Sequence, residues 1–389
     1  MFKQSKGITL VALVITIIVL LILAGVSINF IFGSEGIFTK TQTAVDKYKN
    51  AQNYEQEMIN GVTNYITSEY LTGNRTEPSS TLFGINGTQG EGTESNPYII
   101  TNSKQLLILS FLVEWGDSFE GKFLKLGANI SLDDICGESL SKSWKPIGQN
   151  LRPFSGTFDG AGFTISKIYI DNNERNQGLF GSISGATIKN LKVEDSYIKG
   201  EVNIGGIVGT VAKSNNNSNM INCSFNGTVY GNLYNIGAFI GSNGGNITID
   251  NCRNFGNITG NNVGGVCGIC CGENIEIKNC INLGQISGDY VGGICGSVST
   301  WESNCNTKIS NCYSAGIISG TSNVGPIVGD FSTRSGYSYT SDMSIDANTC
   351  YLNTLRKDNN YSTKDNSQAK IQAEMSSLLS AKGITWPEE

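Results

Sequence analysis

The sequence predicts a mainly β chain: a parallel, right-handed β-helix of about seven coils with terminal capping helices, set behind a long N-terminal α-helix. Two repeat series predict the β-helix. Glycine-bounded elements at Gln177 to Gly181, Gly205 to Gly209, Gly237 to Gly241, Gly264 to Gly268, Gly292 to Gly296 and Gly325 to Gly329 begin 28, 32, 27, 28 and 33 residues apart. In the same register run Ile188 to Leu191, Met220 to Cys223, Ile249 to Cys252, Ile277 to Cys280 and Ile309 to Cys312, each with an asparagine in third place. A third observation, an uncharged stretch from Ile8 to Ser34, predicts the preceding helix.

That stretch exceeds the roughly 20 apolar residues that span a bilayer. Lys3 and Lys6 precede it, so the positive-inside bias keeps the N-terminus cytoplasmic and sends the rest of the chain outward. We divide the chain into a leader (1–7), a hydrophobic membrane or assembly helix (8–33), a stalk helix (34–71), a linker (72–95), a β-helix (96–355) and a tail (356–389). Gly33 and Gly36 bend or break the first helix. The apolar residues Ile37, Ala44, Val45, Tyr48, Ala51, Tyr54, Met58, Ile59, Val62, Tyr65 and Ile66 then recur at three- and four-residue spacing, the stripe of an amphipathic helix. The linker is polar and glycine-rich. Asn102-Ser103 ahead of Leu106-Leu107 and Phe111-Leu112 predicts a capped helix of about twelve residues ending near Trp115.

Within the repeat, a third series (Gly227 to Gly231, Gly256 to Gly260, Gly284 to Gly288, Gly316 to Gly320) completes three short strands per period. No single coil buries its own apolar residues. Coils stacked about 4.8 Å apart pair every strand with those above and below, so equivalent positions become columns. Ile188, Met220, Ile249, Ile277 and Ile309 form an apolar column; Asn190, Asn222, Asn251, Asn279 and Asn311 form an amide ladder. In the tail, Ile371, Met375, Leu378 and Leu379 predict an amphipathic helix, ended by Gly383, that caps the open end of the stack.

Two resemblances add to this. The leader ending Lys6-Gly7, followed by Ile8-Thr9-Leu10 and an uncharged helix, resembles the type IV prepilin N-terminus of pilins and pseudopilins. The resemblance implies a prepilin peptidase that cuts after Gly7, a methylated mature N-terminus at Ile8, other pilin subunits as partners, and a cell-membrane and pilus or surface location. Where that family carries a glutamate at mature position five, this chain has Ala12, which implies a minor, initiating or tip subunit: it offers its neighbour no carboxylate, and an unpaired charge in an apolar core is expensive. A plain unprocessed single-pass anchor and a secretory signal peptide explain the hydropathy as competing readings. Gly178-Leu179-Phe180-Gly181, with Trp144 to Gly148 and Phe154 to Gly160, resembles the GLUG-motif repeat of bacterial surface proteins and adhesins, from about residue 95 to 388. It implies an interaction module with a host-surface or glycan ligand.

Composition narrows the chemistry. With a net charge of −6 and 15% charged residues, the chain lacks the basic surface of a nucleic-acid binder. There is no histidine, which removes the commonest general base and every Ser-His or Cys-His nucleophile pair. The acidic residues (Asp133-Asp134, Asp159, Asp171 to Glu174) do not gather across coils, and the Gly-Gly elements lack Gly-Lys-Ser and precede no helix. The expectation is therefore no catalytic site, metal or cofactor, with a membrane-anchored polysaccharide-active β-helix enzyme as the rival.

The cysteines number 11, odd for an exported chain. Cys223, Cys252, Cys280 and Cys312 share one repeat position, and Cys267 and Cys295 another, so they read as small core residues with a disulfide between neighbouring coils as the alternative. A zinc site drawn from Cys267, Cys270 and Cys280 or Cys305 is disfavoured, because Cys267 belongs to a core column. Cys271, or Cys270 in its place, forms with Cys305 the candidate disulfide pair outside the columns.

Overall fold

In a computed structural model, the structure describes residues 89–149, 151–299, 304–332, 341–346, 348–352, 367–370 and 372–383. The leader, Gly7, Ile8, Ala12, the segments expected to form the two N-terminal helices (8–71) and the start of the linker lie outside these residues. Among the described residues no helix is long and apolar enough to cross a membrane.

The described chain is a parallel β-solenoid of about eight turns. One sheet has nine rungs, running from Tyr98–Ile100 through Thr187–Lys189 and Ile275–Lys278 to Ser341–Ile345. A six-stranded sheet runs from Phe180–Ile183 to Val328–Ser332, and a bent sheet of sixteen short strands closes each coil. Repeat counting predicts about seven coils, and the difference has a local cause. The rungs Tyr98–Ile100, Phe123–Leu126 and Thr157–Asp159 pair in register with the later ones but precede the first glycine-bounded element.

The apolar column forms as expected and is longer. Tyr98, Leu124, Phe158, Ile188, Met220, Ile249, Ile277, Ile309 and Ile345 pair rung to rung, and all are buried. At the N-terminal end Phe119, Phe154, Phe180 and Phe158 interlock, with ring centroids 6.3, 5.3 and 5.4 Å apart along that series. The first predicted helix, α1 (Ser103–Glu114), has Asn102 as N-cap, its Oδ1 accepting from Gln105 N at 3.0 Å. Ser103 Oγ donates to Asp134 and Ser110 Oγ to Lys145 O, at 2.7 and 2.8 Å, which fixes α1 to the loops of the first coils.

The repeat residues earn their identity at the corners. Asn190, Asn222, Asn251, Asn279 and Asn311 hold φ between 51° and 55°, the left-handed region that asparagine enters more readily than most residues. Their side chains sit half-buried to exposed rather than in a buried turn. The ladder links Asn222 Nδ2 to Asn190 Oδ1 at 2.9 Å, Asn251 to Asn222 at 3.3 Å and Asn311 to Asn279 at 2.6 Å. It breaks at Asn279, which donates to Asp250 Oδ1 instead. The glycines mark close backbone approach: a Cβ on Gly264 would sit 1.9 Å from Cys267 O.

The tail corrects one expectation. Gln368–Lys370 extends the bent sheet beside Cys350–Leu352, but the second helix, α2 (Gln372–Ser380), does not cap the end. It packs sideways: Met375 and Leu379 are buried with Ile281, Tyr313 and Cys350, and Leu283, Ala315 and Leu378 pack around them. Strand alternation places Ile281 and Tyr313 on the outer side, because their neighbours Asn282 and Ser314 are inside and fully buried. Arg253 Nη2 donates to Lys382 O at 3.3 Å beyond the helix C-terminus, and the Lys382 ammonium lies 5.1 Å from the Tyr313 ring centroid. An apolar outer column attracts the helix more strongly than an end whose backbone is already paired to Gln368–Lys370.

Candidate interaction surface

Among the described residues, the outer face of the bent sheet is uncovered over the coils that α2 does not reach. Ile170, Ile198, Val229, Ile258 and Ile286 stack in register and point inward, buried. Alternation then sends their neighbours outward. One outward column reads Tyr169, Tyr197, Thr228, Asn257, Gln285; the other reads Asp171, Lys199, Tyr230, Thr259, Ser287, Ser319. The Tyr169 and Tyr197 rings stack with centroids 5.7 Å apart at 26°. Tyr230 is 40% exposed, and Leu233 and Tyr234 at the adjoining corner are 41% and 50% exposed. Rigid aromatic side chains of this kind give contact area at low entropy cost.

Charge on this face is small. Lys199 Nζ donates to Asp171 Oδ1 at 2.7 Å, a hydrogen bond that raises the lysine above its ordinary value. Partial burial, with Asp171 nearby, pushes the Tyr169 phenol up. Thr259 and Ser287 hydroxyls lie 3.0 Å apart, and Asn261 Nδ2 donates to Asp289 at 3.1 Å. A second amide ladder flanks the same coils: Asn203 to Asn176 and Asn235 to Asn203, each 2.9 Å, then Asn262 to Asn235 at 3.5 Å. Its signal stands in the sequence as an asparagine two places before the first glycine of five of the six elements (Asn176, Asn203, Asn235, Asn262, Asn323), with Tyr290 in that place before Gly292.

Carboxylates elsewhere serve local structure. Burial pushes Asp159 up, but hydrogen bonds from Asn190 and the Ala161 N–H and the charge of Lys189 outweigh it and hold its carboxyl below the usual range. A hydrogen bond from Lys278, with Lys308 adding, holds Glu276 down. Among the described residues no three of Cys, Asp or Glu converge as a metal site.

All eleven cysteines are thiols. Cys223, Cys252, Cys280 and Cys312 are buried, as expected for a core column, and each donates to a carbonyl of the previous coil: Ile188, Met220, Ile249 and Ile277. Cys271 Sγ donates to Asn243 O at 3.1 Å, whereas buried Cys305 donates to Cys270 O at 3.4 Å. The described contacts thus take Cys271 and Cys305 to different partners. Burial raises Cys136 and Cys305 to about 11.

No protein-family model matches the chain. It is 32% identical over 112 residues to a protein provisionally called a Gly-rich membrane protein of Evansella cellulosilytica, covering 28% of this chain. It is 31% identical over 149 residues, 37% of this chain, to the halomucin of Haloquadratum walsbyi. Those matches span only 12% and 2% of the two relatives. A crystal structure of a Bacteroides ovatus protein, provisionally called an immunoglobulin A1 protease, superposes with a TM-score of 0.58 over 75% of this chain and 89% of that one, at 21% identity. At that identity the likeness is one of fold, and the chain is a β-solenoid whose sequence relatives include a protein named for the membrane.

Proposed function

We propose that the chain is a pilin-like cell-surface protein without catalytic activity, a minor or tip subunit that displays its β-solenoid as an adhesion module. The observation that carries the reading is the outer face of the bent sheet, uncovered among the described residues, where tyrosines, amides and hydroxyls repeat over successive coils. Such a surface contacts a host-surface or glycan ligand without polarising a bond. The prepilin-like Lys6-Gly7-Ile8 and the GLUG-like elements support display outside the cell, as does the name of the Evansella relative. Prepilin peptidase and other pilin subunits are the partners this implies.

The test reads the mature protein taken from the cell surface. Mass spectrometry should find an N-methylated Ile8 as its first residue, and immunogold labelling should mark filament ends. An intact Met1 would replace the pilin reading by a plain single-pass adhesin. Uniform labelling of the shaft would make it a major subunit. The enzyme rival has one specific support, the protease name of the Bacteroides neighbour. Turnover of peptide or polysaccharide at about 1 per second or more, ordinary for an enzyme, would install it.

A further inference from the structure

Cys270 lies at the end of the strand Cys267–Cys270, and Cys295 opens the strand Cys295–Ser299 of the next coil. The register pairs Cys267 with Cys295 and Cys270 with Val298, so Cys270 and Cys295 are staggered rather than opposed. Their sulfurs nevertheless meet: Cys295 Sγ donates to Cys270 Sγ at 3.4 Å in the interior. Residues opposed in parallel strands stand at the strand spacing of about 4.8 Å, wider than the roughly 3.8 Å between the Cβ atoms of a disulfide. That spacing works against the in-register pair Cys267 and Cys295 and against the repeat column Cys223, Cys252, Cys280 and Cys312. Stagger does not shorten the backbone separation; what favours Cys270 and Cys295 is that their sulfurs already approach to 3.4 Å across the two coils.

We infer that Cys270 and Cys295 are the pair this chain joins as a disulfide when it folds in contact with a thiol–disulfide oxidant, stapling one coil to the next. The two thiols give up two protons and two electrons; an Sγ–Sγ bond forms between them, and the oxidant's disulfide is reduced to two thiols. The timing follows from the surroundings. Hydrogen bonds among the sulfurs and burial raise both thiols well above the ordinary value, so the folded interior holds few thiolates and the exchange belongs to the folding stage, before the coils close. The encounter with an oxidant rests on the extracellular reading above. The choice of pair rests on geometry alone.

The experiment separates the two. The full chain is refolded in detergent with oxidised and reduced glutathione, alkylated under denaturing conditions, and mapped without reduction. The expected result is one peptide pair joining Cys270 to Cys295, with the column thiols alkylated. Oxidised wild type should unfold several degrees above its reduced form, and Cys295→Ser should abolish that difference. Alkylation of both Cys270 and Cys295, or a dominant link between any other pair, Cys271 with Cys305 included, overturns the inference. Because the readout is made in a glutathione buffer, a wrong assignment of location leaves it untouched.

Discussion

The outer side of the bent sheet carries two faces built on the same backbone. In one column the early coils place Lys192, Ser224 and Arg253, and the later coils, in register, place Ile281, Tyr313 and Cys350. Where the residues are polar the face is open; where they turn apolar α2 lies on them. One inner column, Ile198, Val229, Ile258 and Ile286, stays apolar throughout, whereas the inner neighbours of the α2 column pass from Val193 and Phe225 to buried Asn254, Asn282 and Ser314. The change from open to covered face thus involves both sides of these strands. Among the described residues, none lies over the stretch with Tyr169, Tyr197 and Tyr230 as α2 lies over the later coils.

Undoing the covered face should produce the largest effect. Met375→Ala removes a fully buried side chain from between α2 and the Ile281–Tyr313–Cys350 column, a change that costs about 2–5 kcal/mol when the site cannot collapse. The loss should be local, because each coil contacts only its neighbours. Hydrogen exchange should speed up at the Ile281 and Tyr313 amides and in α2 while the Ile188 and Met220 amides keep their protection. Tyr230→Ala on the open face should cost about 0.5 kcal/mol or less. Equal losses at the two positions would show that the open face is covered as well.

The corner asparagines give a smaller effect, divisible into two parts. Asn251 combines φ of 54° with a hydrogen bond to Asn222. Asn251→Ala should cost about 1–2 kcal/mol, mostly for the left-handed backbone. Asn251→Gly keeps the backbone free and loses only the ladder bond. Denaturant titration of the two variants separates the terms, and equal losses would assign the role to the ladder alone.

Much of this was legible because the repeat is its own alignment. The Ile188-to-Ile309 column, the cysteine columns and the asparagine corners follow from spacing, since a residue that recurs in every coil can only be stacking on itself. The helix at 103–114 followed from one cap and one apolar run. What escaped detection lacks that redundancy. The first rungs, Tyr98–Ile100 and Phe123–Leu126, fall inside the expected β-helix of 96–355 but precede the first glycine element, so the count of coils falls short. The seat of α2 depends on outer residues that vary from coil to coil, and amphipathicity says that a helix has an apolar face without saying what the face meets. The stagger of Cys270 against Cys295 depends on local backbone geometry, which residue spacing does not encode.

The smallest effect concerns Asp159, which stands in the rung Thr157–Asp159 and begins the corner ladder by accepting from Asn190 Nδ2 at 2.9 Å. Its carboxyl is held below the ordinary aspartate range by Asn190, the Ala161 N–H and Lys189, against the effect of burial. A carboxyl depressed in the folded state contributes stability that is fully present above its unfolded pKa and is lost as pH falls through the folded one. The loss should therefore begin below about pH 5 and continue past the unfolded value. Asp159→Asn keeps the shape and removes the titration. Measured as the midpoint of unfolding between pH 3 and pH 7, roughly the range in which carboxyls titrate, the variant should start slightly lower than wild type at neutral pH and converge with it in acid. A gap that stays constant as pH falls would show that Asp159 acts through its hydrogen bonds as a neutral acceptor, and that the charge of Lys189 contributes nothing to the corner.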